Sequence, residues 1–285
     1  MKPRAFEYVG PTNLPDALDA LATREDAKVL AGGQSLVPAM NFRLATPATL
    51  VDINRIPDRN RVEEAGGRLR VGMLARHAAL ERVAIDDPLG SLIATISRYV
   101  GHLPIRVRGT LAGSLAHADP AAEWCALAVA LDATIIAASV RGERAIPASE
   151  FFQGLFTTAL AADEIIVEVG FPLLRRAGWG FHEQSRTAGD FATVAAVAVL
   201  DIDNGRVQKA RVGLAGVEPA PVTPSEAIDV LQGNPATDDL LEEAAATAAR
   251  NVDAVSDANY SAEYRTQLVQ VLVLRALADA RSRTA

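Results

Sequence analysis

Leu14, Leu18 and Leu21 recur at helical spacing just after Thr12 and Asn13, either of which can cap a helix, and Lys28 to Ala31 then reads as a short strand. That strand runs straight into Gly32-Gly33. Beyond the glycines, Leu36 to Leu44 has the pattern of a short helix, and Thr49 to Ile53 is rich enough in branched residues for a second strand. Residues 61–72 alternate around Gly66-Gly67 as a hairpin does. Pro88, after Asp86-Asp87, is placed to open a helix reaching about Val100. A second segment crowded with small residues follows, leading into an apolar helix from about Pro120 to Leu131, with strands at 134–140 and 164–171.

The pattern changes at Pro172 to Gly180, which reads as a linker. Two long strand-like runs, Phe191 to Ile202 and Arg206 to Val217, then flank Asp203-Asn204-Gly205, and Asn-Gly is a strong hairpin signal. Helical stretches at about 224–232, 238–252 and 261–281 close the chain. These elements predict an α+β protein of two domains, residues 1–176 and 177–285, the second an antiparallel sheet with helices.

Composition narrows the function. A chain of 285 residues with 49% hydrophobic content can bury a substantial core, and its formal charge of -7 argues against a sequence-independent grip on nucleic acid. Neither an apolar leader nor a run of eighteen apolar residues is present, so no membrane span is expected and the cytoplasm is the default compartment. Cys125 is the single cysteine, which leaves no thiolate set for an iron–sulfur cluster, and the four histidines (His77, His102, His117, His182) are too scattered to suggest a metal site. His77 and His102 read as surface or capping residues, Cys125 as a small helix residue. Asp238, Asp239, Glu242 and Glu243 read as a solvated first helical turn, favourable to the helix dipole.

The candidate chemistry lies in the two small-residue segments. A phosphate held without a lysine needs several backbone N–H groups pointing inward, and so residues small enough for the chain to curl around the oxygens. Ala31-Gly32-Gly33-Gln34-Ser35 offers this between a strand and a helix, where the helix N-terminus adds a partial positive charge worth roughly 0.3–1 kcal/mol in exposed settings. Gly109, Ala112, Gly113 and Ser114 repeat the idea, with Thr110 as a hydroxyl donor. Two cradles suit a diphosphate. Neither is a G-x-G-x-x-G fingerprint nor a Walker A loop.

Taken as strings, AGGQSLVPAMNFRLATPATLVDINRI and RGTLAGSLAHADPAAEW resemble the medium, FAD-binding subunits of the molybdenum hydroxylases, the carbon monoxide dehydrogenase and xanthine dehydrogenase family. The trailing FHEQSRTAGDFATVAAVAV is similar to the opening of those subunits' C-terminal domain. The resemblance implies a vanillyl-alcohol-oxidase (PCMH) type FAD-binding domain of two α/β subdomains. It assigns the FAD diphosphate to Val29, Leu30, Ala31, Gly32, Gly33, Gln34, Ser35 and Leu36, with further contacts at Thr110, Gly113, Ser114 and His117. Glu123 stands where the family has an acidic residue reaching the flavin's polar chain, since a carboxylate accepts from hydroxyls. Ile166 matches a position near the isoalloxazine edge, or is a core residue. Phe191 matches one that covers the flavin face, or is a buried strand residue.

Two departures stand out. Ala112 replaces the first glycine of the second loop's usual T-[IV]-G-G-[NS], and where relatives often place a lysine near the flavin, this chain offers His182, Ser185 and Arg186. The resemblance also implies partners: a large subunit with the molybdenum cofactor, a small subunit with two [2Fe–2S] clusters, and an external electron acceptor beyond the FAD. No catalytic acid, base or nucleophile is expected in this chain, because the cofactor carries the redox chemistry. The overall string looks nearest to hydroxylases of N-heterocyclic aromatics or alkaloids. A carbon monoxide dehydrogenase medium subunit, a self-contained flavin oxidase and a flavin-free scaffold are the competing expectations.

Overall fold

The computed structural model describes residues 2–284. Its first unit is a parallel sheet of β1 (Glu7–Val9), β2 (Ala27–Leu30) and β3 (Thr49–Asp52), in the order β1-β3-β2. α1 (Leu14–Thr23) packs Ala17, Leu18, Ala20 and Leu21 inward, and the Asn13 side chain caps it by accepting from the Asp16 amide at 2.9 Å. α2 (Leu36–Asn41) is shorter than its apolar pattern predicts. Arg43 takes the left-handed conformation (φ +60°) and stops the helix before Leu44.

The second unit is antiparallel. β4 (Val62–Ala65) and β5 (Arg68–Gly72) form the expected hairpin, with Gly66 and Gly67 both at positive φ. After α3 (His77–Leu80), α4 (Pro88–Tyr99), α5 (Leu103–Arg106), α6 (Leu111–His117) and α7 (Glu123–Leu131), the chain returns through β6 (Thr134–Ser139) and β7 (Gly142–Pro147). α8 (Ala148–Phe151) and a small hairpin of β8 (Phe152–Gly154) and β9 (Thr157–Thr158) lead to β10 (Ile165–Pro172). The sheet order is β4-β5-β10-β6-β7. β7 escapes prediction because it is an edge strand whose first four residues are exposed, so no apolar alternation marks it.

The C-terminal sheet is a meander of β11 (Gly178–Ser185), β12 (Ala192–Asp203) and β13 (Arg206–Ala215), turned at Asn204-Gly205 as expected. The helices α9 (Ser225–Leu231), α10 (Asp238–Arg250) and α11 (Ala262–Ser282) follow. The stretch predicted as a linker, 172–180, instead ends one strand and begins another. Gly178 and Gly180 belong to β11, and they are glycines because a Cβ at either would collide with the α11 backbone at Ala280 or Ala276.

Nine consecutive residues of β12, Ala192 to Leu200, are buried, which requires cover on both faces of the sheet. Val194, Ala196, Ala198 and Leu200 face the core shared with α10 and α11. Ala195, Val197 and Val199 join the core of the preceding units, where α7 crosses the sheet. Gly213 permits that crossing, since a Cβ there would meet the backbone of Ala126.

Candidate functional site

The carboxyl ends of β2 and β3 point to the same edge of the parallel sheet, where ligands of such sheets bind. A cleft of about 350 Å³ opens there, lined by residues that include Ala31 to Gln34, Val37, Asp52, Asn54 and Arg108. Gly33 adopts φ +71°, and the chain turns so that its carbonyl accepts from the Val37 amide at 3.0 Å as α2 begins. Gln34 Nε2 donates to the Gly32 carbonyl at 2.9 Å, which fixes that side chain beside the turn. The amides of Gly32, Gly33, Gln34 and Ser35 find no acceptor among the described residues. Four consecutive open N–H groups beside the cleft are donors of the kind that anion-binding concavities use.

The second small-residue segment folds differently from expectation. It is not a free loop: Thr110 is an N-cap, its hydroxyl accepting from the Gly113 amide at 3.0 Å and its carbonyl from Ser114 at 3.0 Å. A Cβ on Gly113 would stand 2.7 Å from that hydroxyl, so glycine here serves the cap. Ala112 lies inside α6, where positive φ is not required, so its departure from glycine costs the backbone nothing.

The two segments meet. A Cβ on Gly32 would stand 2.5 Å from the Arg108 carbonyl oxygen and 2.6 Å from Gly109 Cα. Asn54 and Arg76, which sequence reasoning did not single out, tie them together. Asn54 Nδ2 donates to the Ala31 carbonyl at 2.8 Å, while Arg76 donates through Nη2 to Asn54 Oδ1 at 2.6 Å and through Nη1 to the Arg108 carbonyl. Asp52 anchors Asn54 and accepts from the Tyr8 hydroxyl at 2.6 Å. The signal was present as Asp-Ile-Asn just past the carboxyl end of a parallel strand. Asn54 and Arg76 also line a second cleft of about 310 Å³.

His77 supports the second segment from beneath and is not a surface residue. It is 4% exposed, accepts at Nδ1 from Trp124 Nε1 at 3.0 Å, and contacts Gly109 so closely that a Cβ there would lie 2.7 Å from its ring. Burial, with Arg106 and Arg76 nearby, pushes its pKa down to about 4, so the ring is neutral. His102 sits exposed at the N-cap position of α5, and Cys125 is wholly buried, its thiol pushed up by burial.

Of the other expected contacts, Val29 and Leu30 end β2, Leu36 opens α2, and Ser114 and His117 lie along α6. The His117 ring packs 5.0 Å from that of Phe156, and burial lowers its pKa. Glu123 is 6% exposed at the first position of α7. Ile166 is a core residue of β10, and Phe191 is exposed at the foot of β12 instead of being buried. His182 is not brought to the site. It turns to α11, with Nε2 3.3 Å from Asp279 Oδ2, because adjacent strand residues point to opposite faces. Glu183 takes the face toward α7.

The site fits a dinucleotide. Open amides in a cleft that the exposed Arg108 also lines offer the donors and positive charge a diphosphate needs, and the neighbouring Asp52 and Asn54 offer polar groups for a sugar. A metal has no comparable site, since no cluster of three or more His, Cys, Asp or Glu among the described residues could hold one. No helix among them is long and apolar enough to cross a membrane.

Comparison with known proteins agrees in both halves. The profile described as "FAD binding domain in molybdopterin dehydrogenase" matches residues 4–174, and "CO dehydrogenase flavoprotein C-terminal domain" matches residues 179–280. The nicotine 6-hydroxylase medium subunit of Paenarthrobacter nicotinovorans is 39% identical over 284 residues, covering 100% of both chains. Among solved structures, a carbon monoxide dehydrogenase from Hydrogenophaga pseudoflava superposes with a TM-score of 0.96 at 32% identity. Quinoline 2-oxidoreductase from Pseudomonas putida 86 superposes with a TM-score of 0.93 at 34% identity, and both matches cover 100% of each chain.

Proposed function

The chain belongs to the FAD-binding medium subunits of the molybdenum hydroxylases, and from that premise we propose that it seats the FAD diphosphate on the Gly32–Ser35 amides and relays electrons between partner subunits and an external acceptor. The observation that carries the reading is the run of four open amides beside Arg108, in a cleft at the carboxyl edge of a parallel sheet. Gly32, Gly33, Gln34 and Ser35 bind the phosphates through their N–H groups, Arg108 neutralises their charge, and Val29, Leu30, Ala31 and Leu36 shape the wall. Thr110, Gly113 and Ser114 hold the start of α6 against that wall, with His117 at its far end. Glu123 accepts from the hydroxyl-bearing chain of the cofactor. Ile166 supports the flavin from the core of β10, and Phe191, exposed just before β12, covers its face. The bound flavin supplies the ability to take electrons singly and release them singly or in pairs.

The chain's only cysteine is buried in α7, which leaves no thiolate set for [2Fe–2S] clusters, and membership of the medium subunits supports assigning two such clusters to a small partner subunit and the molybdenum cofactor to a large one. The division of the chain near residue 176 leaves β11 to open the C-terminal domain. An N-heterocyclic aromatic or alkaloid is the substrate class favoured by the nicotine and quinoline relatives. The carbon monoxide reading rests on carbon monoxide dehydrogenase medium chains at 32% and 34% identity, below the 39% of the nicotine 6-hydroxylase subunit.

Purification of the native complex through a tag on this chain tests the reading. Stoichiometric FAD, molybdenum and iron with two further subunits, and flavin reduction by an N-heterocycle but not by carbon monoxide, are the results expected. A chain that turns over alcohols or amines alone, without metal, would overturn it in favour of a self-contained oxidase. A colourless chain that cannot be reconstituted with FAD would overturn it in favour of a scaffold.

A further inference from the structure

Phe156 takes the left-handed backbone conformation (φ +51°), the only aromatic residue among the described residues to do so, and it is 52% exposed. In that region an L-residue's Cβ crowds the following carbonyl oxygen, a conflict that glycine escapes and a bulky side chain does not. Burial does not offset the strain here, because half of the residue lies in solvent.

The hairpin that carries Phe156 is fixed at its base. The carbonyl of Phe151, a wholly buried residue, accepts from the Ala159 amide at 2.8 Å, and Arg144 Nη2 donates to the Ala159 carbonyl at 2.7 Å. Arg144 also forks onto Glu164 at 2.7 and 2.8 Å, and Glu164 in turn accepts from the Ala161 amide at 2.7 Å. At the tip, Gly154 (φ +148°) and a bond from Thr157 Oγ1 to the Leu155 carbonyl at 3.0 Å turn the chain. The Phe156 ring thereby meets α6, its centroid 5.0 Å from that of His117 and its plane tilted by 38°.

His117 is the last residue of α6. Ala118 follows it in the left-handed conformation (φ +51°) and donates its amide to the Ser114 and Leu115 carbonyls, both at 3.1 Å, so the helix end sets the His117 backbone. No such bond sets the ring. The rings of His77 and His182 have polar partners in Trp124 and Asp279, whereas that of His117 has no hydrogen-bond partner among the described residues. Burial holds its pKa below the ordinary value, against the charge of Asp119, so at pH 7 the ring is neutral, with one nitrogen to donate and one to accept.

We propose that Phe156 is a positioning residue, strained at the hairpin tip so that its ring holds the His117 imidazole in one orientation, ready to bond a polar group of the bound flavin nucleotide. The role rests on the FAD reading above. Backbone strain beside a binding group, outside any core, is a mark of preorganisation: folding has already restricted the ring before the ligand arrives.

Three variants separate the role from simple packing. Phe156→Gly removes the ring and suits the backbone angle, so its urea midpoint should hold or rise. FAD binding should nevertheless weaken roughly tenfold, as expected when one oriented hydrogen bond is lost. Phe156→Tyr keeps the ring and should restore affinity. In an H117A background, F156G should cause no further loss, since a residue that acts through His117 has nothing left to orient.

Histidine NMR of the full-length chain without FAD, assigned with H117Q, gives a readout independent of the cofactor. F156G should move the His117 titration upward, toward the ordinary value of about 6.5, because the ring loses its cover. An unchanged titration in F156G, or affinity losses that add in the double variant, would overturn the proposal. A urea midpoint that falls in F156G but not in F156Y would make the ring a packing residue and overturn it as well. Failure of the wild type and every variant to bind FAD would overturn the reading of the cleft, and the role with it, while the titration still reports the ring contact.

Discussion

Gly32 and Arg108 touch where the two small-residue segments meet: a Cβ on Gly32 would stand 2.5 Å from the Arg108 carbonyl oxygen. Glycine is required at this position by a neighbouring strip of backbone, independently of any ligand. The same carbonyl accepts from Arg76 Nη1, so the contact is pinned from a second direction.

Gly32→Ala should therefore damage both the seam and the cradle. Overpacking a close backbone contact costs about 1–3 kcal/mol, and the segments must part to relieve it. FAD content after purification and the urea midpoint should fall together. Full flavin retention with an unchanged midpoint would show that the contact yields freely.

Asn54→Ala removes the donor that holds the Ala31 carbonyl at 2.8 Å and strands Arg76 Nη2. Asn54 is exposed, so the fold should tolerate the change, whereas the cradle loses its brace. The expected outcome is FAD binding weakened roughly tenfold, or about 1.4 kcal/mol, with little change in Tm. Arg76→Lys should resemble it, because an ammonium cannot bridge Asn54 and Arg108 as a planar guanidinium does. Isothermal titration with FAD measures both.

Thr110→Val deletes the cap acceptor for the Gly113 amide while keeping the side chain's shape at a 2% exposed position. Loss of an N-cap costs about 1 kcal/mol, and Thr110→Ser should recover most of it. Equal stability of the Val and Ser variants in urea would remove the cap from the account.

Acid should loosen the same region through His77. Its folded pKa, about 4, lies below the unfolded value of about 6.5, so between these pH values only the unfolded chain takes up the proton. Stability present above pH 6.5 is lost as pH falls toward 4, and levels off below, by about 3 kcal/mol in order of magnitude. Urea denaturation at pH 7 and pH 4.5 should show a smaller difference for His77→Gln than for wild type. Identical pH dependence in the two would assign the acid sensitivity elsewhere.

What the sequence by itself determined is local. Asn13 and Leu14 to Leu21 specify α1, Gly66-Gly67 and Asn204-Gly205 specify their hairpins, and the Gly-Gly after Lys28 to Leu30 marks the cradle, because each signal is carried by residues a few positions apart. The resemblance in the two loop segments extended that reading to FAD. Other features depended on elements distant in the chain: the closure of Gly32 on Arg108, the brace of Asn54 and Arg76, and the burial of His77 under Trp124. Strand parity was also hidden. A sheet covered on both faces is apolar on both, as the nine buried residues of β12 show, so the alternation that would have told His182 from Glu183 vanishes from the sequence. Register and the helices on either side decide which of the two meets α7, and those are fixed only when the whole chain has packed.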